Sequence, residues 1–138
     1  MRTTSHTLFF LLLTGCALLG GSCKEKKNTR QTEPQGTTEI EFRQKNFNFG
    51  EIIEGEIVTH TFYFKNTGKE NLVIKAIESS CGCTTVGYDR KPVAPGKEGK
   101  IEIEFNSSGR YGKQYKEISI FANLSKGKTT LTITANVN

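Results

Sequence analysis

Tryptophan is absent from this 138-residue chain, and methionine, aspartate and histidine are scarce. Without tryptophan, the chain has no indole platform for carbohydrate. Met1 is the only methionine, Asp89 the only aspartate, and His6 and His60 the only histidines. This scarcity argues against Ser-His-Asp catalysis and against a metal centre with several imidazole or thioether ligands. We therefore expect no enzyme, no catalytic residues, no metal site and no cofactor.

Long apolar runs are also missing, apart from one near the N-terminus. The segment Leu8–Leu19 follows Arg2 and leads to small residues before Cys23. A membrane-spanning helix needs about 20 apolar residues, so this shorter run is typical of a secretory signal peptide. A cysteine at the cleavage point predicts a bacterial lipoprotein signal over residues 1–22. The predicted location is the cell envelope, with the outer membrane of a Gram-negative bacterium favoured.

Two cysteines compete for the lipid. Cys16 follows Leu-Thr-Gly, which fits the usual lipoprotein cleavage motif better, whereas Cys23 follows a complete apolar region and precedes a charged segment. Lipidation at Cys23 would leave Cys81 and Cys83 as a single pair, whereas lipidation at Cys16 would leave an odd thiol in an oxidising compartment. We predict lipidation at Cys23, with Cys16 as the alternative.

The distribution of charged residues distinguishes a predicted tether from a predicted folded domain. Residues 23–38 are polar and predict a lipidated cysteine followed by a flexible tether, and its basic residues suit an anionic membrane surface. The net charge of the chain is +5, but lysine and glutamate mix along the polar positions of residues 39–138. This mixture, without interleaved aromatics, argues against a nucleic-acid partner. The expected partners are the membrane, through the lipid, and a protein of unidentified kind.

Apolar residues alternate with polar ones through residues 39–138. The pattern is clearest around Phe62 and Phe64, around Ile101 and Ile103, and at the C-terminal end of the chain. Short alternating runs separated by turns predict an immunoglobulin-like antiparallel β-sandwich of about 7–8 strands. A break in the alternation predicts a bulge or strand end near Ala76. Phenylalanines are expected to supply much of the core volume: Phe42, Phe47, Phe49, Phe62, Phe64 and Phe105.

Several motifs together resemble a known group of domains. Phe-Asn-Phe-Gly at 47–50 and Asn-Thr-Gly at 66–68 resemble the Ig-like domains related to major sperm protein, PapD and Hydin. Ser-Ser-Cys-Gly-Cys-Thr at 79–84 narrows the resemblance to a bacterial family of exported, often lipid-anchored Ig-like domains of unknown function. The resemblance covers residues 39–138 and implies fold and location. It implies no reaction and no catalytic residues.

Cys81-Gly82-Cys83 is the one chemically suggestive segment. The two thiols could close a small, strained disulfide, bind a soft metal, or pack as reduced side chains in a turn where Gly82 supplies an unusual backbone angle. Metal binding is the weakest reading, because tetrahedral closure needs two further ligands and a lone histidine on an apolar face is usually structural.

The polar residues after the cysteines offer a second, weaker hypothesis. Tyr88, Arg90 and Tyr111 could form a binding rim, although a solvated loop is the simpler reading.

Three functional hypotheses follow from these observations. The favoured one is a lipid-anchored envelope protein with a non-catalytic Ig-like domain that binds or scaffolds another protein. The alternatives are a thiol-redox or soft-metal-handling protein that uses the Cys-Gly-Cys motif, and a PapD-like periplasmic chaperone.

Overall fold

The computed structural model describes residues 36–138, which form eight β-strands and no helix. The described part therefore contains no helix that could cross a membrane. The predicted signal peptide and the predicted tether up to residue 35 lie outside the described residues. The strands are β1 (Ile40–Phe42), β2 (Asn46–Ile52), β3 (Ile57–Asn66), β4 (Ile74–Ser79), β5 (Thr84–Tyr88), β6 (Glu98–Asn106), β7 (Gly112–Ala122) and β8 (Lys128–Val137).

The strands form two four-stranded sheets. Sheet I has the order β1-β3-β6-β5, and sheet II has the order β2-β8-β7-β4. Neighbouring strands are antiparallel except β2 and β8, which run parallel. The chain leaves sheet I after β1 and joins sheet II as β2, so the N-terminal edge strand is divided between the two sheets. This is the immunoglobulin arrangement with a divided first strand, and it confirms the predicted fold class.

The core lies between the sheets and follows the alternation in the sequence. Ile101, Ile103 and Phe105 of β6 are buried, whereas the intervening residues of that strand are exposed. Of the phenylalanines expected in the core, Phe42, Phe62, Phe64 and Phe105 are buried. The prediction for the other two, Phe47 and Phe49, is only partly correct, because they are half-buried.

The half-burial of Phe47 and Phe49 has a structural cause. Both lie on β2, an edge strand whose pairing with β8 shifts register between Asn48 and Glu51. Their rings pack edge to face at 4.9 Å, at the margin of the core. A second shift, between Ile74 and Ala76 of β4, confirms the predicted bulge. Edge strands commonly carry such bulges.

Strand direction gives the sandwich two distinct ends. At the end that we call the base, β3 finishes at Asn66, and the described chain enters through Thr38, which bridges to Leu124. The base comprises residues 36–39, 67–73, 89–97 and 123–127. At the opposite end, the tip, β2 finishes and β7 begins. The tip comprises residues 53–56, 80–83 and 107–111 and Asn138.

Candidate functional site

The segment between β4 and β5 carries the only cysteines of the described residues. The structure joins Cys81 and Cys83 in a disulfide, with the two Cα atoms 5.3 Å apart. This is one of the three states that the sequence left open. Both cysteines are half-buried, and Cys83 packs against the core.

Hydrogen bonds hold this cysteine loop in addition to the disulfide, and one of them joins the Cys81 sulfur and the Thr84 hydroxyl at 3.5 Å. The Ser79 hydroxyl oxygen lies 2.7 Å from the carbonyl oxygen of Cys81 and 3.2 Å from that of Thr84, so its single proton can be donated to either. The Ser80 N–H donates to the Glu117 carbonyl at 2.9 Å, and the Asn106 N–H donates to the Cys83 carbonyl at 3.0 Å. The backbone is therefore tied to both sheets, independently of the disulfide.

Gly82 does not play the role expected of it. It is not among the glycines with a positive φ, and a Cβ placed on it would meet nothing within 4 Å. The backbone angle that the reduced-thiol alternative assigned to Gly82 is therefore wrong, because the φ of Gly82 lies outside the left-handed region.

One lysine near the tip faces the sandwich interior. Lys116 of β7 donates to the Gln114 side-chain oxygen at 3.1 Å, and its ammonium lies 5.8 Å from the centre of the Phe105 ring. Desolvation lowers the pKa of Lys116, and the nearby Arg110 guanidinium lowers this pKa further. Both effects disfavour the protonated, charged form of the Lys116 side chain.

Residues 36–138 contain no group of three or more histidine, cysteine, aspartate or glutamate side chains that could hold a metal ion. His60, the histidine of this part, instead packs between the two sheets. Its ring stacks on Phe47 of the other sheet at 3.5 Å between centroids, and Phe62 meets it edge-on at 4.7 Å. Desolvation lowers the pKa of the His60 imidazole.

Large apolar side chains are exposed at the tip. Ile53 and Tyr111 are each 72% exposed, and Ile57 is 55% exposed. Ile53 and Ile57 flank the turn between β2 and β3, and Tyr111 ends the loop between β6 and β7. We call these three residues the apolar tip.

Buried Ser107 fastens the two tip loops together. Its hydroxyl lies 2.9 Å from the Ile53 carbonyl and 2.8 Å from the Glu56 carbonyl, and its N–H also donates to Glu56. A second link joins the loops where the Gly109 N–H donates to the Glu54 carboxylate at 2.7 Å. The apolar tip therefore stands on adjoining, fixed loops.

At the base, the central feature is the fully buried Asn66. Its side-chain oxygen accepts from the Thr38 hydroxyl at 2.8 Å and from the Gly68 N–H at 3.1 Å. Its amide nitrogen donates to the Glu70 and Val93 carbonyls, each at 2.8 Å. All four hydrogen-bonding positions of this amide are satisfied, which joins the chain entry to two base loops.

A second buried asparagine, Asn123, works in the same way. It accepts from the Val73 N–H at 2.8 Å and donates to the carbonyls of Asn71 at 2.9 Å and Gly36 at 3.1 Å. Close packing accompanies these bonds, since a Cβ on Gly68 would overlap Thr38 and one on Gly99 would overlap the Phe64 ring. Hydrogen bonds and close packing therefore fix the conformation of the base.

An open groove of about 580 Å³ lies on the base side of sheet I, where β6 extends beyond the end of β5. Tyr63 lines one wall, and its ring carries the Arg43 guanidinium 5.1 Å above its centre. Val93 and Ala94 add apolar surface. The charged residues of this groove, which we call the basic groove, are Lys91, Lys97, Lys100, Asp89 and Glu98.

The structure does not bring together the rim predicted from Tyr88, Arg90 and Tyr111. Tyr88 ends β5 opposite Ile101, and the Arg90 guanidinium lies 6.0 Å from its ring centre. Tyr111 instead precedes Gly112, at the tip. The two halves separate because β5 starts near the tip and runs toward the base.

Sequence reasoning missed both the apolar tip and the basic groove. One signal was available for the tip: Ile52-Ile53 and Ile57-Val58 are adjacent apolar pairs, and in a strand one member of such a pair must face outward. The lysines of the basic groove come from a loop and a strand, and only the fold places them together.

The two four-stranded sheets define an Ig-like β-sandwich. Residues 40–137 match the family described as "Protein of unknown function (DUF1573)", and the chain belongs to this family. No curated protein matches the chain.

Solved structures share the fold at low identity. A protein of unknown function from Porphyromonas gingivalis W83 is 18% identical with a TM-score of 0.65, over 79% of this chain and 51% of that one. PapD-like domain 7 of human CEP192 is 13% identical with a TM-score of 0.56, over 74% of this chain and 87% of that domain.

A third similar structure belongs to a larger protein. The secreted serine protease VesC from Vibrio cholerae is 13% identical with a TM-score of 0.54, over 75% of this chain and 23% of the protease. The chain thus spans about half of the P. gingivalis protein and a quarter of the protease. At such identities these likenesses concern the fold alone.

Proposed function

We propose that this protein is a lipid-anchored component of the cell envelope whose Ig-like domain binds another protein through its apolar tip, without catalysis. The anchor is Cys23, and the membrane is the outer membrane of a Gram-negative bacterium. One observation carries the proposal: three of the five large exposed apolar side chains, including the two most exposed, lie at the end opposite to the one where the described chain enters the domain. A tether that enters at the base leaves the tip free to face a partner.

The chemistry of the tip suits a protein partner. Apolar surface is exposed to water on the side chains of Ile53, Ile57 and Tyr111, which do not pack into the core. Burial of one such side chain against a partner contributes about 1.5–3 kcal/mol. Clustered apolar surface and loops at one end of a sandwich are common features of binding sites.

The sheet edges favour contact through loops over the chaperone alternative. A chaperone that offers a strand edge to its client needs a long unpaired strand. Of the longest strands in the described residues, β7 lies inside its sheet and β8 is covered by β2. The β1 strand covers only the end of β3, which leaves residues 57–62 as an edge no longer than β2. The edge strands are β1, β2, β4 and β5, which have 3, 7, 6 and 5 residues.

Tip substitutions test protein binding. We expect Ile53→Ser combined with Tyr111→Ser to abolish cross-linking of the full chain to its envelope partner in whole cells. Tyr115→Ser is the matched control, because Tyr115 is 63% exposed on β7, outside the apolar tip. Equal cross-linking by the tip variant and the control would show that the apolar tip is not the binding surface.

Intact-mass analysis of the membrane fraction tests the anchor. We expect an acylated mature chain that begins at Cys23, loss of acylation in Cys23→Ser, and retention in Cys16→Ser. An acyl group retained in Cys23→Ser and lost in Cys16→Ser would shift the anchor to Cys16.

A second candidate function, thiol redox exchange, is favoured by the cysteine loop itself. Because hydrogen bonds to both sheets hold the loop, its reduction would leave the two thiols side by side. Exchange with a dithiol partner would reduce the Cys81–Cys83 bond to two thiols and oxidise the partner to its disulfide. Equilibration in glutathione buffers, read by alkylation and mass spectrometry, tests this function. A pair that stays oxidised in the most reducing buffer would exclude it.

A further inference from the structure

We propose that the basic groove binds the phosphate of an anionic phospholipid headgroup and thereby holds the domain upright on the bilayer. This inference rests on the lipid anchor of the proposed function. It adds a second membrane contact, made by the folded domain itself.

The carboxylates in the groove are already engaged. Both oxygens of Glu98 accept from the Arg43 guanidinium, at 3.0 and 3.1 Å. Asp89 accepts from the Lys91 backbone N–H at 2.9 Å. Arg43–Glu98 is the one ion pair within residues 36–138, so the ammonium groups of the groove lysines have no carboxylate partner there. With Glu98 paired to Arg43, three lysines face one remaining carboxylate, Asp89, so the groove keeps an excess of positive charge.

The positive charges of the groove belong to lysine side chains, and lysine suits a phosphate ligand. Lysine binds phosphate as a mobile point charge, and Lys91, Lys97 and Lys100 reach the groove from a loop and from β6. Tyr63, 45% exposed, adds an aromatic wall of a residue type that is enriched at membrane interfaces. A volume of about 580 Å³ lies in the range of small-molecule sites.

Position favours a lipid over an acidic protein as the occupant. Asn66 binds both Thr38, where the described chain enters, and Val93, which lines the groove. Only residues 24–35 separate Gly36 from Cys23, and a fully extended segment of this length reaches about 40 Å. This segment is itself rich in basic residues, which favours the same anionic surface: Lys24, Lys26, Lys27 and Arg30.

Lysine labelling of the acylated full chain in vesicles tests the proposal. One vesicle is phosphatidylcholine alone, and the other contains one third phosphatidylglycerol. We expect an amine-acylating reagent to modify Lys91 several-fold more slowly in the anionic vesicles, whereas Lys113, next to the tip, reacts equally in both. High salt should remove the protection, because screening weakens exposed charge pairs. Equal reactivity of Lys91 in the two vesicles would overturn the inference.

A charge-matched pair of variants sharpens the test, with Lys91 kept as the reporter. One basic residue near an anionic surface is worth about five-fold in binding, so Lys97→Gln with Lys100→Gln should weaken docking on the order of 30-fold. Lys45→Gln with Lys113→Gln removes the same charge outside the groove and should leave most of the protection. Equal losses in both variants would overturn the assignment to the groove.

Two soluble competitors separate other sources of negative charge. Stronger protection of Lys91 by a polyglutamate peptide than by anionic vesicles would overturn the lipid assignment in favour of an acidic protein. Equal protection by soluble glycerophosphate would assign the groove to a free phosphate compound instead. Flotation with the neutral vesicles reads the acyl anchor alone. A chain that floats with neutral vesicles but shows no anionic protection therefore contradicts only this inference.

Discussion

The base and the tip of this sandwich are built on different principles. At the base, two buried asparagines satisfy their amides on backbone and side-chain partners, and Gly68 and Gly99 allow close packing. At the tip, Ser107 and the bond from Gly109 to Glu54 hold the loops, and large apolar side chains face solvent. The contrast separates two structural roles: the end where the described chain begins is fixed by buried hydrogen bonds and close packing, and the opposite end leaves apolar surface exposed.

The largest expected effect comes from the network at the base. Asn66→Ala would leave two donors and two acceptors without their partner, in a buried site. We expect a loss of about 3–4 kcal/mol in the free energy of unfolding, measured by urea denaturation with circular dichroism. Ser107→Ala at the tip removes one hydroxyl donor and should cost about 1 kcal/mol. Equal losses at the two ends would contradict the contrast.

The next largest loss of stability is expected from changes in packing. Gly99→Ala would push a methyl group into the Phe64 ring, and overpacking of this kind costs about 1–3 kcal/mol. Gly82→Ala in the cysteine loop meets open space and should change the stability by less than about 0.5 kcal/mol. Thermal melts of the two variants check this ranking, and a Gly82 variant that melts lower than the Gly99 variant would refute it.

Removal of the disulfide should have a modest effect. The bond closes a loop of three residues, so the chain-entropy estimate of its contribution is about 1.5 kcal/mol. We expect Cys81→Ser with Cys83→Ser to remain folded, with an unchanged far-UV circular dichroism spectrum and a slightly lower urea midpoint. Unfolding of this variant would show that the disulfide, and not the hydrogen bonds of Ser79 and Ser80, holds the loop.

The smallest effect concerns pH. Because desolvation lowers the pKa of His60 in the folded state, the unfolded chain binds this proton more tightly. Stability from the neutral imidazole is complete above the unfolded pKa of about 6.5 and is lost as the pH falls through the lower folded value. We expect a slightly lower melting temperature at pH 5 than at pH 7.5, and a smaller difference in His60→Gln. The same difference in both proteins would assign the effect to other groups.

Sequence periodicity predicted the strands well because each strand buries one face. It could assign Phe62 and Ile103 to the core, but not the half-burial of Phe47, which depends on the register shift of β2. Asn66 stands out in the sequence only through the Asn-Thr-Gly motif, and its partners Thr38 and Val93 lie 28 and 27 residues away. Local patterns contain no information about such contacts.

The same limit explains the candidate sites. Cys81 and Cys83 are near neighbours in sequence, so their pairing could be considered from the chain alone. The predicted rim is divided because Tyr88 ends β5 toward the base, whereas Tyr111 lies in the tip loop before β7. Only the direction of the strands shows this separation. The apolar tip and the basic groove required the three-dimensional order of the strands.

Site-specific photo-crosslinking in whole cells tests the two-ended arrangement most directly. A photoreactive residue at Ile53 should yield a discrete protein adduct that disappears when Tyr111→Ser is added, and one at Lys97 should yield lipid adducts. A protein adduct from position 97, with none from position 53, would contradict the assignment of the tip to the partner and of the base to the membrane.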